Sequence, residues 1–164
     1  MNLRKISYTI VCFLLSAICL VGCGEYLSEE EKDTIISNQV NYMNSLEDEM
    51  SLIWDAYADS EGLISFYGYL DTDSDTYKAS QEMRAVIETY EPKITSESIK
   101  IDKNKVEDNQ FLEYLNNIDE YVFAINNYTQ AMEDGDSDKF SKAKEDVERY
   151  AKLIMNYAEY ELSN

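Results

Sequence analysis

The chain has 164 residues, 33 acidic against 14 basic, a formal net charge of −19, no histidine and three cysteines. So acidic a chain repels nucleic acid and anionic surfaces, and attracts cationic partners or divalent ions. The missing histidine removes every Ser-His-Asp or Cys-His site and the commonest transition-metal ligand; catalysis by carboxylates alone stays open, but no pair of them is marked.

The first segment is a leader in three parts. Arg4 and Lys5 form a positive start, Thr9 to Val21 an apolar run, and Leu20-Val21-Gly22-Cys23 its end. The charges hold the start on the cytoplasmic side. The apolar run can enter a membrane but is short for a stable span, and small Gly22 admits a peptidase to the backbone. The pattern resembles the lipobox of bacterial lipoprotein precursors. The resemblance implies cleavage between Gly22 and Cys23 and acyl lipid, including diacylglycerol, on Cys23. It also implies a domain held by lipid at the outer face of the cell membrane. The alternative is an uncleaved transmembrane anchor, since Ile6 to Gly24 carries no charge. Either way the residues beyond 24 lie outside the cytoplasm.

The resulting division is a signal peptide over 1–22, a lipidated cysteine with a short tether over 23–28, and an acidic helical domain over 29–164. Cys12 and Cys19 leave with the leader and Cys23 is lipidated, so the domain keeps no thiol. Thiol redox chemistry and zinc–thiolate sites are excluded there.

Ser28 and Glu31 form a capping-box pattern, with Glu29 to Glu31 suited to the positive end of a helix. The first helix carries Ile36, Val40, Met43, Leu46, Met50, Ile53 and Tyr57 at steps of three and four, and runs to about Ala58. Residues 59–73, with Gly62 and Gly68, admit both a helical extension and a loop. A second helix starts near Ser74 or Asp75 and carries Tyr77, Met83, Val86, Ile87 and Tyr90. It is predicted to stop before Pro92, the single proline. Residues 91–107 read as a polar connection in which Ile99 and Ile101 could form a short extended piece.

The third helix is predicted from about Asp108 to Glu133, with Phe111, Leu115, Ile118, Val122, Ile125 and Met132 inward. The fourth spans about Ser137 to Leu162, with Phe140, Ala143, Val147, Tyr150, Ile154 and Tyr157 inward. The turn Asp134-Gly135-Asp136-Ser137 is short enough for an antiparallel hairpin. The fold class is therefore all-α, a bundle of about four helices in two antiparallel hairpins.

Three groups of residues could carry a function. Asp71, Asp73, Asp75 and Glu82 have the spacing of ligands 1, 3, 5 and 12 of a calcium-binding EF-hand loop; Asp134, Asp136, Asp138 and Glu145 repeat it. Both depart from that family where Thr76 and Lys139 replace its turn glycine, and Lys78 and Ser141 its apolar position. Helix caps and turns would select the same aspartates. If Asp75 and Asp138 open their helices, they cannot also fold into such a loop.

The second group is aromatic. Trp54, Tyr57, Tyr67, Tyr69 and Tyr77 crowd one region of a chain with 14 tyrosines. They could bind peptides or glycans, or fill core boundaries with their hydroxyls in water. The third is the acidic face Glu47, Asp48, Asp55 and Asp59, which could meet a cationic peptide or be a solvated helix face. The function expected is a non-catalytic binding module at the bacterial cell envelope, contacting an envelope protein. The alternative is an acidic and aromatic surface that sequesters a cationic peptide or a divalent cation such as Ca²⁺, as some immunity lipoproteins do.

Overall fold

A computed structural model describes residues 27–58 and 75–163. Among these residues stand four α-helices, α1 (Glu29–Ala58), α2 (Asp75–Ile99), α3 (Asn109–Asp134) and α4 (Ser137–Leu162), with a short 3₁₀ turn at Lys103–Lys105 before α3. The leader with Gly22 and Cys23, and residues 59–74 with Tyr67, Tyr69, Asp71 and Asp73, lie outside the described residues.

The helix ends follow from their cap residues. At the start of α1 the Ser28 N–H donates to Glu31 Oε2 at 2.8 Å, and Ser28 Oγ accepts the Glu31 N–H at 3.3 Å. This is the reciprocal pair of a capping box, and it satisfies donors that the first turn leaves open. Asp108 caps α3 by accepting the Gln110 and Phe111 N–H groups at 2.9 and 3.1 Å. α3 ends at Gly135, whose left-handed φ of 66° turns the chain, while the Asp136 N–H returns to the Ala131 carbonyl at 3.0 Å. A side chain at that φ would meet a steric penalty, so glycine is required there. Asp136 then caps α4 through the Lys139 N–H.

The packing order follows from pairs between helices. Tyr57 meets Glu82 and Tyr90 meets Glu49, so α1 and α2 run antiparallel. The guanidinium of Arg84 lies 2.7 Å from Glu133, and Asn126 reaches Glu91, so α2 and α3 are antiparallel too. Tyr128 against Phe140 and Tyr114 against Tyr157 set α3 and α4 the same way. The result is an up-down-up-down four-helix bundle. Its main core holds Ile36, Met43, Leu46, Ile87, Ile94, Phe111, Leu115, Ile118 and Ile154, most of them closed to solvent. A second cluster joins Ala79, Met83, Ala131, Met132 and Phe140. The apolar positions read from the helical period are therefore the buried or half-buried ones.

The prediction that the second helix stops before Pro92 is corrected. α2 continues through Pro92 to Ile99. Proline lacks the N–H for one helical bond and crowds the preceding turn. The continuation is held from outside: Ile94 is wholly buried, and the amide of Gln39 donates to the Ile94 carbonyl at 2.9 Å and to Ser98 Oγ at 2.7 Å. Pro92 itself faces solvent. The expected extended piece is absent: Ile99 is the last residue of α2 and 79% exposed, while Ile101 packs against the core.

Candidate functional site

The four sides of the bundle are unequally closed. α3 and α4 pack closely, as do α1 and α2, but α1 and α4 meet only sparsely. A groove of about 350 Å³ opens on that side. Glu47 and Met50 line it from α1, and Lys144, Val147, Glu148 and Ala151 from α4; Ile125 and Tyr128 of α3 form its floor. The wall residues recur at steps of three and four, so each helix presents one stripe to the gap. Ala151 is small enough to leave the space open.

Glu47 is one of three charged residues that line this groove, with Lys144 and Glu148. Its Oε1 accepts the Tyr121 hydroxyl at 3.1 Å, and the Tyr121 side chain is wholly buried in the core. Glu47 keeps an exposed edge, yet burial of its carboxyl raises the pKa above the ordinary glutamate value. The Tyr121 hydrogen bond pulls it partly back, and the neighbouring Asp48 charge raises it further. Burial is also the main reason the Tyr121 hydroxyl titrates far above an ordinary tyrosine. Tyr128 is pushed up to about 12 by burial. At the rim, Lys144 and Glu148 stand 3.9 Å apart with both side chains well exposed, a pairing worth little in water. A carboxylate partly stripped of water beside an apolar floor is chemically suited to receive a cation attached to an aliphatic stem.

Of the aromatic group, Trp54, Tyr57 and Tyr77 lie among the described residues. Trp54 is half-buried and stacks on Phe140, with ring centroids 6.2 Å apart. Phe140 in turn lies 4.6 Å from the Tyr128 ring. Tyr57 donates to Glu82 at 2.7 Å, and Tyr77 is half-buried. Trp54 and Tyr57 pack against the second core cluster.

The second acidic turn does not adopt the calcium-loop geometry; of the first, Asp71 and Asp73 lie outside the described residues. Asp75 opens α2 and Glu82 lies within it. Asp134 is the last residue of α3, Asp136 is the cap of α4, Asp138 is in its first turn and Glu145 lies further along the same helix. An EF-hand loop needs its fifth-position ligand outside a helix, and Asp138 stands in the first turn of α4. The Lys139 N–H and ammonium hold Asp136 below the usual carboxylate range. Among the described residues no three carboxylates gather as a metal site.

Of the acidic face read from α1, Glu47 alone lines the groove. Tyr128, Lys144, Glu148 and Ala151 escaped sequence reasoning, because a gap between two helices leaves no mark on either helix's periodicity. A larger cleft of about 480 Å³ lies at the other end of the bundle between Glu30, Ile35, Ile101 and Lys105, but it borders Leu27, the first described residue. None of the described helices is long and apolar enough to cross a membrane. No protein-family model, curated protein or solved structure matches this chain.

Proposed function

We propose that the chain is an extracytoplasmic lipoprotein, tethered through lipid on Cys23, whose helical bundle is a non-catalytic interaction module for an envelope protein. The observation that carries the binding reading is the open side between α1 and α4, where half-buried Met50 and Val147 border a cavity above the buried Ile125. The ordered leader Arg4-Lys5, apolar run and Leu20-Val21-Gly22-Cys23 supports the address. One acyl chain anchors only marginally and two anchor stably, at about 0.8 kcal/mol per buried methylene. A lipidated Cys23 therefore leaves the groove free for a partner rather than for the membrane.

Intact-mass analysis of the protein made in a bacterial host, with and without Cys23→Ser, tests the address. The expected product begins at Cys23 with added acyl mass and fractionates with membranes, while the C23S chain does not. A product beginning at Met1 without lipid refutes it. A photoreactive residue at Val147 should cross-link an envelope protein, and Ala151→Trp should abolish that adduct.

A further inference from the structure

The groove also constrains what can enter it. Its walls are helices whose backbone groups bond within each helix, so they offer no ladder to an extended strand. The α4 wall from Lys144 to Ala151 is about 10 Å long at 1.5 Å per residue, two turns of stripe. Ridges of such side chains interdigitate with the ridge of a further helix. A volume of about 350 Å³ is too small for a helix body and admits a few of its side chains.

Charge selects among such helices. Tyr121 engages Glu47 Oε1, and among the described residues Oε2 holds no hydrogen bond. Glu148 adds a second carboxylate at the rim, Lys144 is the groove's single cation, and the chain as a whole carries −19. The field steers positive segments inward, and the partly desolvated carboxylate gives the arriving cation a fixed partner.

We propose that the groove receives the side-chain ridge of an amphipathic, cationic helix of an envelope protein, with a lysine or arginine closing on Glu47 Oε2 and aliphatic residues covering Met50, Val147 and Ala151. This names the partner chemistry of the groove and rests on the interaction-module reading above.

The test uses the full chain in phosphatidylcholine nanodiscs and a synthetic amphipathic helical peptide with lysine on one edge of a leucine face. Controls are a scrambled peptide of equal charge and a version with glutamine for lysine. Trp54 is the chain's single tryptophan, and it connects through Phe140 to Tyr128, so its fluorescence reports occupancy beside isothermal titration. Saturable binding of the amphipathic cationic peptide is expected. Glu47→Gln should weaken it several-fold, and more at low salt than at high, since Glu47 is exposed and water and salt screen its charge. Ala151→Trp should abolish it. Lys144→Glu should strengthen it several-fold, a gain that misfolding cannot produce. Equal binding of the scrambled or glutamine peptide, or indifference to Glu47→Gln and Ala151→Trp, overturns the proposal. So does absence of binding; if the Val147 cross-link to an envelope protein still depends on Ala151, the groove stands and the cationic helix is the part refuted.

Discussion

Four tyrosine hydroxyls donate to glutamates on a different helix: Tyr57 to Glu82, Tyr90 to Glu49, Tyr121 to Glu47 and Tyr150 to Glu120. A neutral donor is useful in so acidic a chain, because basic residues are too few to pair every carboxylate that faces a helix seam. It bonds the carboxylate while its ring fills the boundary of the core. The Tyr121–Glu47 pair is the most buried of the four on the tyrosine side, and it positions the groove's charge. Replacing Tyr121 by Phe keeps the ring and deletes only the hydroxyl. We expect stability to fall by about 1.5–3 kcal/mol in urea denaturation, the usual range for a hydrogen bond to a charged group. Glu47 should then titrate still higher by NMR, because the bond that lowers its pKa is gone. An unchanged Glu47 titration would show that the carboxylate is oriented by something other than Tyr121. The number of tyrosines was plain in the sequence; their pairing was not, since each pair joins residues at least 25 positions apart.

At the scale of elements, α2 is the helix where local and tertiary preferences conflict. Pro92 removes a backbone bond and costs about 3 kcal/mol in a helix interior. Burial of Ile94 and the Gln39 grip on Ile94 and Ser98 offset that cost. Pro92→Ala should therefore raise stability by about 1–3 kcal/mol, and Gln39→Ala should lower it by about 1–3 kcal/mol. Denaturant midpoints measure both; if Gln39→Ala frees α2 beyond Pro92, protection of the Ile94 to Ser98 amides from hydrogen exchange will fall with it. A Gln39→Ala variant with full protection would refute the grip. The same conflict explains what was legible beforehand. The ends of α3 and α4 were readable because Asp108, Gly135 and Asp136 act locally, through their own backbone and the next turn. The apolar stripes were readable because helical period alone decides which positions share a face. The end of α2 was unreadable because Gln39 lies more than fifty residues away. The groove was unreadable for a related reason: Glu47 and Ala151 are ordinary on their own helices, and become a site only where α1 and α4 fail to close.

For the whole molecule, charge and the lack of histidine together set the response to pH. The described residues hold no histidine and no cysteine, so none of their side chains with an ordinary pKa changes charge between about pH 6 and 8, and stability should be nearly flat there. Glu31, Asp102, Asp108 and Asp136 are all held below their ordinary values. Ser28 hydrogen bonds hold Glu31, the Asn104 N–H and side chain hold Asp102, and Lys139 holds Asp136. At Asp108 the Phe111 N–H, Lys32 and the Gln110 N–H outweigh burial. A depressed carboxylate contributes stability that is complete above its unfolded pKa and lost as pH falls through the folded one. These four caps therefore fail together below about pH 4. Glu47 acts in the opposite sense. Its folded pKa is raised, so its contribution is present at low pH and is lost as pH rises through that value. Self-repulsion of the −19 chain also weakens as carboxylates begin to protonate. The stability maximum should fall near pH 5, above the failure of the caps and below full ionisation of Glu47. Thermal unfolding followed by circular dichroism should show a plateau from pH 8 to 6, a rise of a few degrees towards pH 5 and a steep fall below about pH 4. Salt at about 0.5 M should lift the plateau more than the maximum, because screening acts on the same repulsion that protonation has begun to relieve at pH 5. A plateau that salt lowers instead would mean that attraction between the few basic residues and their carboxylates, rather than repulsion among the many acidic ones, dominates this bundle's electrostatics.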